Sequence, residues 1–162
     1  MLVTLEIVTV VLAGIALVPA LAHALELPGK MRLGRDDYLA VQPIYYPGFT
    51  FAGFAEPLAV VAALALAVTT FATVESWLAG AALLALLFMQ AIFWFMTQPA
   101  NKFWLRETQL SGAGKRFFGT GSGDASGARD WSVMRDRWEL SHVLRAIAAS
   151  IAFVLLVTAV AL

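Results

Sequence analysis

The chain has 162 residues, of which 60% are hydrophobic and 14% charged, with 11 basic and 11 acidic side chains and a mean hydropathy of +0.79. A soluble domain is about one quarter charged, so this composition does not suit a surface in water. The absence of cysteine excludes disulfides, thiolate metal sites and a cysteine nucleophile, and zero net charge without a basic stripe excludes nucleic acid as a partner.

Crossing a hydrocarbon layer of about 30 Å takes roughly 20 helical residues at about 1.5 Å each. The spans are expected at residues 7–27, 51–72, 77–98 and 140–160. The runs are rich in Ala and Leu and lack two-residue alternation, so they satisfy their backbone as helices and not as barrel strands. The expected fold is all-α, an integral membrane four-helix bundle forming one transmembrane domain over residues 1–162.

In chain order, the first helix ends in "LVPALAHALELPGK", whose small residues mimic a signal-peptidase site. The basic segment of a signal peptide is missing, since Glu6 is the only charge ahead of His23. The helix is therefore expected to stay. "GRDDYLAVQPIYYPGF" follows, with Asp36 and Asp37 at a helix start. Its Tyr38, Leu39, Val41, Ile44, Tyr45 and Tyr46 suit the headgroup layer. It reads as a short interfacial helix stopped by Pro47 and Gly48.

Helices two and three are joined by a tight turn at 73–76, and residues 101–110 can extend the third helix beyond the membrane. "SGAGKRFFGTGSGDASGA" (111–128) is a flexible Gly-rich loop by composition. Asp130 is the expected N-cap of a helix through Trp131 and Trp138 into the last span. Trp77, Trp94 and Trp104 read as interface belt or packing.

All 11 Lys and Arg residues fall in or beside the two long connections: Lys30, Arg32 and Arg35, then Lys102, Arg106, Lys115, Arg116, Arg129, Arg135, Arg137 and, inside the last helix, Arg145. Basic residues stay on the cytoplasmic side. Both long loops are expected there, with both termini outside, and a bacterial inner membrane is the expected location.

Ionisable groups inside a span are costly and turn toward the bundle interior. His23 and Glu26 are three residues apart on the first helix, and Glu139 and His142 three apart on the last. Because these helices run in opposite directions, each His lies about 4.5 Å deeper than its Glu. The two pairs can meet. Glu56 on the second helix and Gln98 and Asn101 on the third complete a polar layer near the cytoplasmic face, with Arg145 a turn deeper. Each residue alone can also snorkel or bond a neighbouring helix.

Several chemistries suit this set. His23, Glu26, Glu56, Glu139 and His142 are donors that a single iron, manganese or zinc ion accepts. A di-iron bundle needs two Glu-x-x-His motifs, and only Glu139 with His142 has that order. With no metal, a His polarised by a carboxylate is a general base, and Arg145 can stabilise an anionic oxygen.

The stretches "HALELPGKMRLGRDDYLAVQPIYYPGF", "QPANKFW" and "RWELSHVLRA" resemble the anthrone oxygenase-like family of small four-helix membrane proteins, most of unknown function. The resemblance runs from the first helix to the last, excluding the Gly-rich insert. It implies that an activated C–H beside a carbonyl loses a proton, giving a carbanion that oxygen oxidises without a redox cofactor. It points to Glu26 with Pro28, to Asn101, and to Trp138, His142 and Arg145.

The expectation is a membrane oxidoreductase acting on a hydrophobic aromatic or quinone-like molecule taken from the bilayer or its cytoplasmic face. His142 is the base or a metal ligand, oriented by Glu139 or Glu26. Arg145 and Asn101 hold the substrate oxygen, and His23 and Glu56 complete the pocket. The alternative is a non-catalytic membrane protein binding a metal, haem or lipid, or an assembly subunit. Haem would take His23 or His142 as axial ligand. Small-residue runs also allow a homo-oligomer. The outer halves of the helices are poor in polar groups, which counts against transport.

Overall fold

The structure is a computed structural model that describes residues 1–104 and 131–162. Among the described residues every regular element is helical: α1 (Leu2–Lys30), α2 (Arg35–Val41), a 3-10 turn (Gln42–Tyr45), α3 (Gly48–Gly53), α4 (Ala55–Thr69), α5 (Val74–Ile92), a π-helical stretch (Phe93–Thr97), α6 (Gln98–Trp104) and α7 (Trp131–Val160). Four helical segments are long and apolar enough to cross a membrane: Leu2–Lys30, Gly48–Thr69, Val74–Phe103 and Trp131–Val160. The expected Gly-rich loop, the helical extension beyond Trp104 and the Asp130 cap lie outside the described residues.

The bundle is built with small residues inside and large ones outside. Ala13, Ala16, Ala59, Ala63, Ala79, Ala82, Ala149 and Ala152 are fully buried, whereas Ile7, Val11, Val18, Leu58, Val61, Leu84, Phe88, Ile147 and Val154 are exposed. Small interior side chains let helices approach closely where lipid supplies no hydrophobic drive between them. The exposed aliphatic rows give the outer surface its apolar character. α1 packs on α4 and α7, and α5 packs on the same two helices, so α4 and α7 face each other across the interior.

Helix ends differ from the expected spans for local reasons. Pro28 does not stop α1, which runs to Lys30. The second span bends between Gly53 and Ala55 because Pro57 has no N–H for the carbonyl of Gly53, four residues earlier. It then ends at Thr69, and the turn falls at residues 70–73 instead of 73–76. Thr70 Oγ1 donates to the carbonyl of Leu66 at 2.8 Å. Thr73 Oγ1 accepts the N–H of Ser76 at 3.3 Å as the N-cap of α5. Between them Ala72 takes a left-handed φ of 68°.

Candidate functional site

The antiparallel run of α1 and α7 reverses the order of their polar pairs. The His23 and His142 rings lie 4.1 Å apart, centroid to centroid. The carboxylates of Glu26 and Glu139 share one cation, Lys30 Nζ, at 2.9 and 3.7 Å. Lys30 also donates to Nδ1 of His23 at 3.1 Å. Composition alone marks this lysine as a loop charge, yet it is buried because α1 continues past Pro28. The spacing carried a signal, since Lys30 is four residues after Glu26 and seven after His23.

The segment between α1 and α4 folds against this group. Tyr38 is fully buried and donates its hydroxyl to Oε1 of Glu139 at 2.8 Å. Tyr45 donates to Oε2 of Glu26 at 2.7 Å. Burial, reinforced by the neighbouring carboxylates, pushes both phenols well above their ordinary titration range. They remain donors. Lys30 Nζ also lies 4.8 Å from the ring centroids of Tyr45 and of Trp138, so an aromatic and acidic cage surrounds one ammonium.

A second group spans the interior. Arg145 Nη2 donates to Oε1 of Glu56, and Gln90 Nε2 donates to the other oxygen at 2.8 Å. Arg145 Nη1 is 3.5 Å from Nδ1 of His142. A guanidinium only donates, so Nδ1 accepts and the hydrogen-bond network assigns the ring proton of His142 to Nε2. His142 Nε2 and Arg145 Nε have no hydrogen-bond partner among the described residues. Asn101 Oδ1 accepts the indole N–H of Trp138 at 2.8 Å, and Thr97 donates to Ser141 at 2.9 Å.

A cavity of about 380 Å³ opens on this second group. Its polar lining includes His23, Glu56, Asn101, His142 and Arg145, and its aromatic lining includes Tyr46, Phe49, Phe54, Phe93, Trp94 and Trp138. Helix irregularity shapes one side. In the π-helical stretch the N–H of Gln98 bonds the carbonyl of Phe93, five residues earlier. Pro99 has no N–H for the carbonyl of Phe95, which accepts Arg137 Nη2 at 2.6 Å instead.

All seven residues singled out from the sequence, His23, Glu26, Glu56, Asn101, Glu139, His142 and Arg145, belong to these two joined groups. They divide by position. Glu26 and Glu139 do not line the cavity and are engaged by Lys30 and the two tyrosines. The expected orientation of His142 by either of these carboxylates is replaced by the Arg145 contact. Lys30, Tyr38, Tyr45 and Gln90 are the additional members.

Among the described residues no three His, Asp or Glu side chains are grouped to hold a metal ion. The chemistry of the donor set agrees, because Lys30 and Arg145 already face the three candidate carboxylates. The cavity is lined by one carboxylate, Glu56, within an aromatic enclosure, and three of its lining residues, Gln42, His142 and Arg145, each carry a buried N–H group with no partner among the described residues. Comparison with protein-family models, curated proteins and solved structures found no match.

Proposed function

We propose that this chain is a membrane-embedded oxidoreductase acting on a hydrophobic, aromatic or quinone-like molecule in the cavity between its helices. The observation that carries the reading is Glu56, a buried carboxylate on an aromatic cavity, close to His142 Nε2 and Arg145 Nε, which have no partner among the described residues. Arg145 and Gln90 each take one oxygen of Glu56, and each oxygen keeps a lone pair able to receive a proton.

In this reading the substrate carbonyl oxygen accepts from His142 and Arg145, which stabilise the negative charge that develops there. Glu56 takes a proton from a CH2 that is conjugated with that carbonyl through the ring system, so that the charge develops on the carbonyl oxygen. Oxidation by dioxygen then converts the CH2 to a carbonyl, with the second oxygen atom leaving as water. His142, read from the sequence as base or metal ligand, becomes a donor because Arg145 engages its Nδ1. Asn101 and Trp138 position the ring system, and Lys30 with Glu26 and Glu139 holds His23. The resemblance to the anthrone oxygenase-like family supports the same chemistry, and no resident metal is needed for it.

The one-sided distribution of Lys and Arg supports a cytoplasmic side for both long connections. α2 and the 3-10 turn after it then lie in the headgroup layer, with Tyr38 turned to the buried Glu139 and Tyr45 to the half-exposed Glu26. Purified protein in lipid nanodiscs, supplied with an anthrone and oxygen, is expected to form the ketone product faster than empty nanodiscs do. A His142→Ala chain that stays folded and keeps the full rate would refute the assignment.

A further inference from the structure

We propose that the cavity takes its ligand sideways from the bilayer, through an apolar mouth between the α3–α4 bend and the π-helical stretch. The inference rests on the cavity being a ligand site, as proposed above, and does not depend on turnover.

Phe54 and Trp94 both line the cavity, and they are 54% and 61% exposed on the outside of the bundle. Pro57 is likewise exposed and on the lining. These residues sit within the two spans Gly48–Thr69 and Val74–Phe103. Each span departs from regular helix at this point: the chain bends around Phe54 ahead of Pro57, and Phe93–Thr97 is wound as a π-helix. Both irregularities belong to the same opening, with Glu56 and Gln90 bonded to each other just inside it.

The other approach is covered. Segment 35–53 contributes Gln42, Tyr45 and Phe49 to the lining and is tied down by the Tyr38–Glu139 and Tyr45–Glu26 hydrogen bonds. The mouth is apolar, and inside it Glu56 and Arg145 cancel in formal charge. The ligand this admits is a neutral, lipid-dissolved aromatic molecule with an oxygen at one end. A water-borne anion would have to cross the apolar mouth unpaired.

The test uses menadione as probe. Trp138 lies on the lining, and a chain with Trp77, Trp94, Trp104 and Trp131 changed to Phe leaves it as the only indole. Menadione loaded into nanodisc lipid is expected to quench Trp138. A Cβ on Gly53, another lining residue, meets nothing within 4 Å, so there is room for a side chain to start there and Gly53→Phe places a ring at the mouth. It is expected to slow quenching about tenfold. Placing Ala at 94 is expected to speed it, which decides the matter even if the Gly53 variant fails to fold. Tyr38→Phe, which loosens the covering segment from a residue outside the lining, is expected to leave the rate within about twofold. The proposal is overturned if Trp138 is not quenched. It is also overturned if the tyrosine variant accelerates entry while changes at 53 and 94 do nothing. Quenching without turnover would refute the oxidoreductase reading and leave the bilayer route standing.

Discussion

Arg145 on α7 and Glu56 on α4 form a buried ion pair across the interior of the bundle, between helices that are not direct neighbours. A charge enclosed by apolar helices is stable only while its partner is present, so the pair locks the relative rotation of α4 and α7. Removing one member should cost about 3–5 kcal/mol, because the other is left buried and unpaired. Glu56→Gln and Arg145→Met should each lower stability by that order in reversible unfolding from mixed micelles. The double variant should lose much less than the sum. Additive losses would mean that the pair does not couple the helices.

Tyr38 and Tyr45 hold the segment between α1 and α4 through donated protons. Both phenols titrate above the ordinary value of 10.0 because of burial and the adjoining carboxylates. A group that binds its proton more tightly when folded stabilises the fold fully below its unfolded pKa and loses that contribution as pH rises beyond it. Stability should therefore be insensitive to these tyrosines up to about pH 10 and fall above it. Tyr38→Phe should flatten that alkaline fall. It should also cost about 1.5–3 kcal/mol at neutral pH, as expected for a buried hydrogen bond to a carboxylate. An unchanged alkaline profile in Tyr38→Phe would contradict this account of the Tyr38–Glu139 contact.

The spans were legible because hydropathy and length report directly on a bilayer. The meeting of His23 with His142 was legible because helical rise and antiparallel direction together determine depth. Lys30 was harder to place, since composition assigns a lysine beside Pro28 and Gly29 to a loop. Only the continuation of α1 through Pro28 makes it the shared partner of Glu26 and Glu139. Tyr38 and Tyr45 read as headgroup aromatics because their bonds to Glu139 on α7 and Glu26 on α1 are contacts distant in sequence with no local period. The π-helical stretch left a trace in Pro99, but its opening onto the cavity depends on packing against α7.

Metal chemistry gives a third prediction. Lys30 and Arg145 neutralise the carboxylates that a divalent ion would need, so iron, manganese or zinc should bind only by displacing a buried cation. Elemental analysis of purified protein is expected to find no stoichiometric metal, and dialysis against a chelator should leave the melting curve unchanged. One equivalent of metal, lost on chelation together with stability, would contradict the charge pairing of Lys30 and Arg145 with these carboxylates.

The central claim is that Glu56 removes a proton from a ligand whose oxygen is held by His142 and Arg145. The most direct measurement is oxygen uptake by nanodisc-embedded protein supplied with an anthrone, comparing the native chain with Glu56→Gln. Menadione quenching of Trp138, read with and without Glu56→Gln in chains whose other four tryptophans are Phe, confirms that the cavity still admits an aromatic ligand. The account predicts a fall of about 100-fold or more in the rate for Glu56→Gln, the usual scale for losing a general base, with quenching retained. A Glu56→Gln chain that takes up oxygen at the native rate, or a native chain no faster than empty nanodiscs, would contradict it.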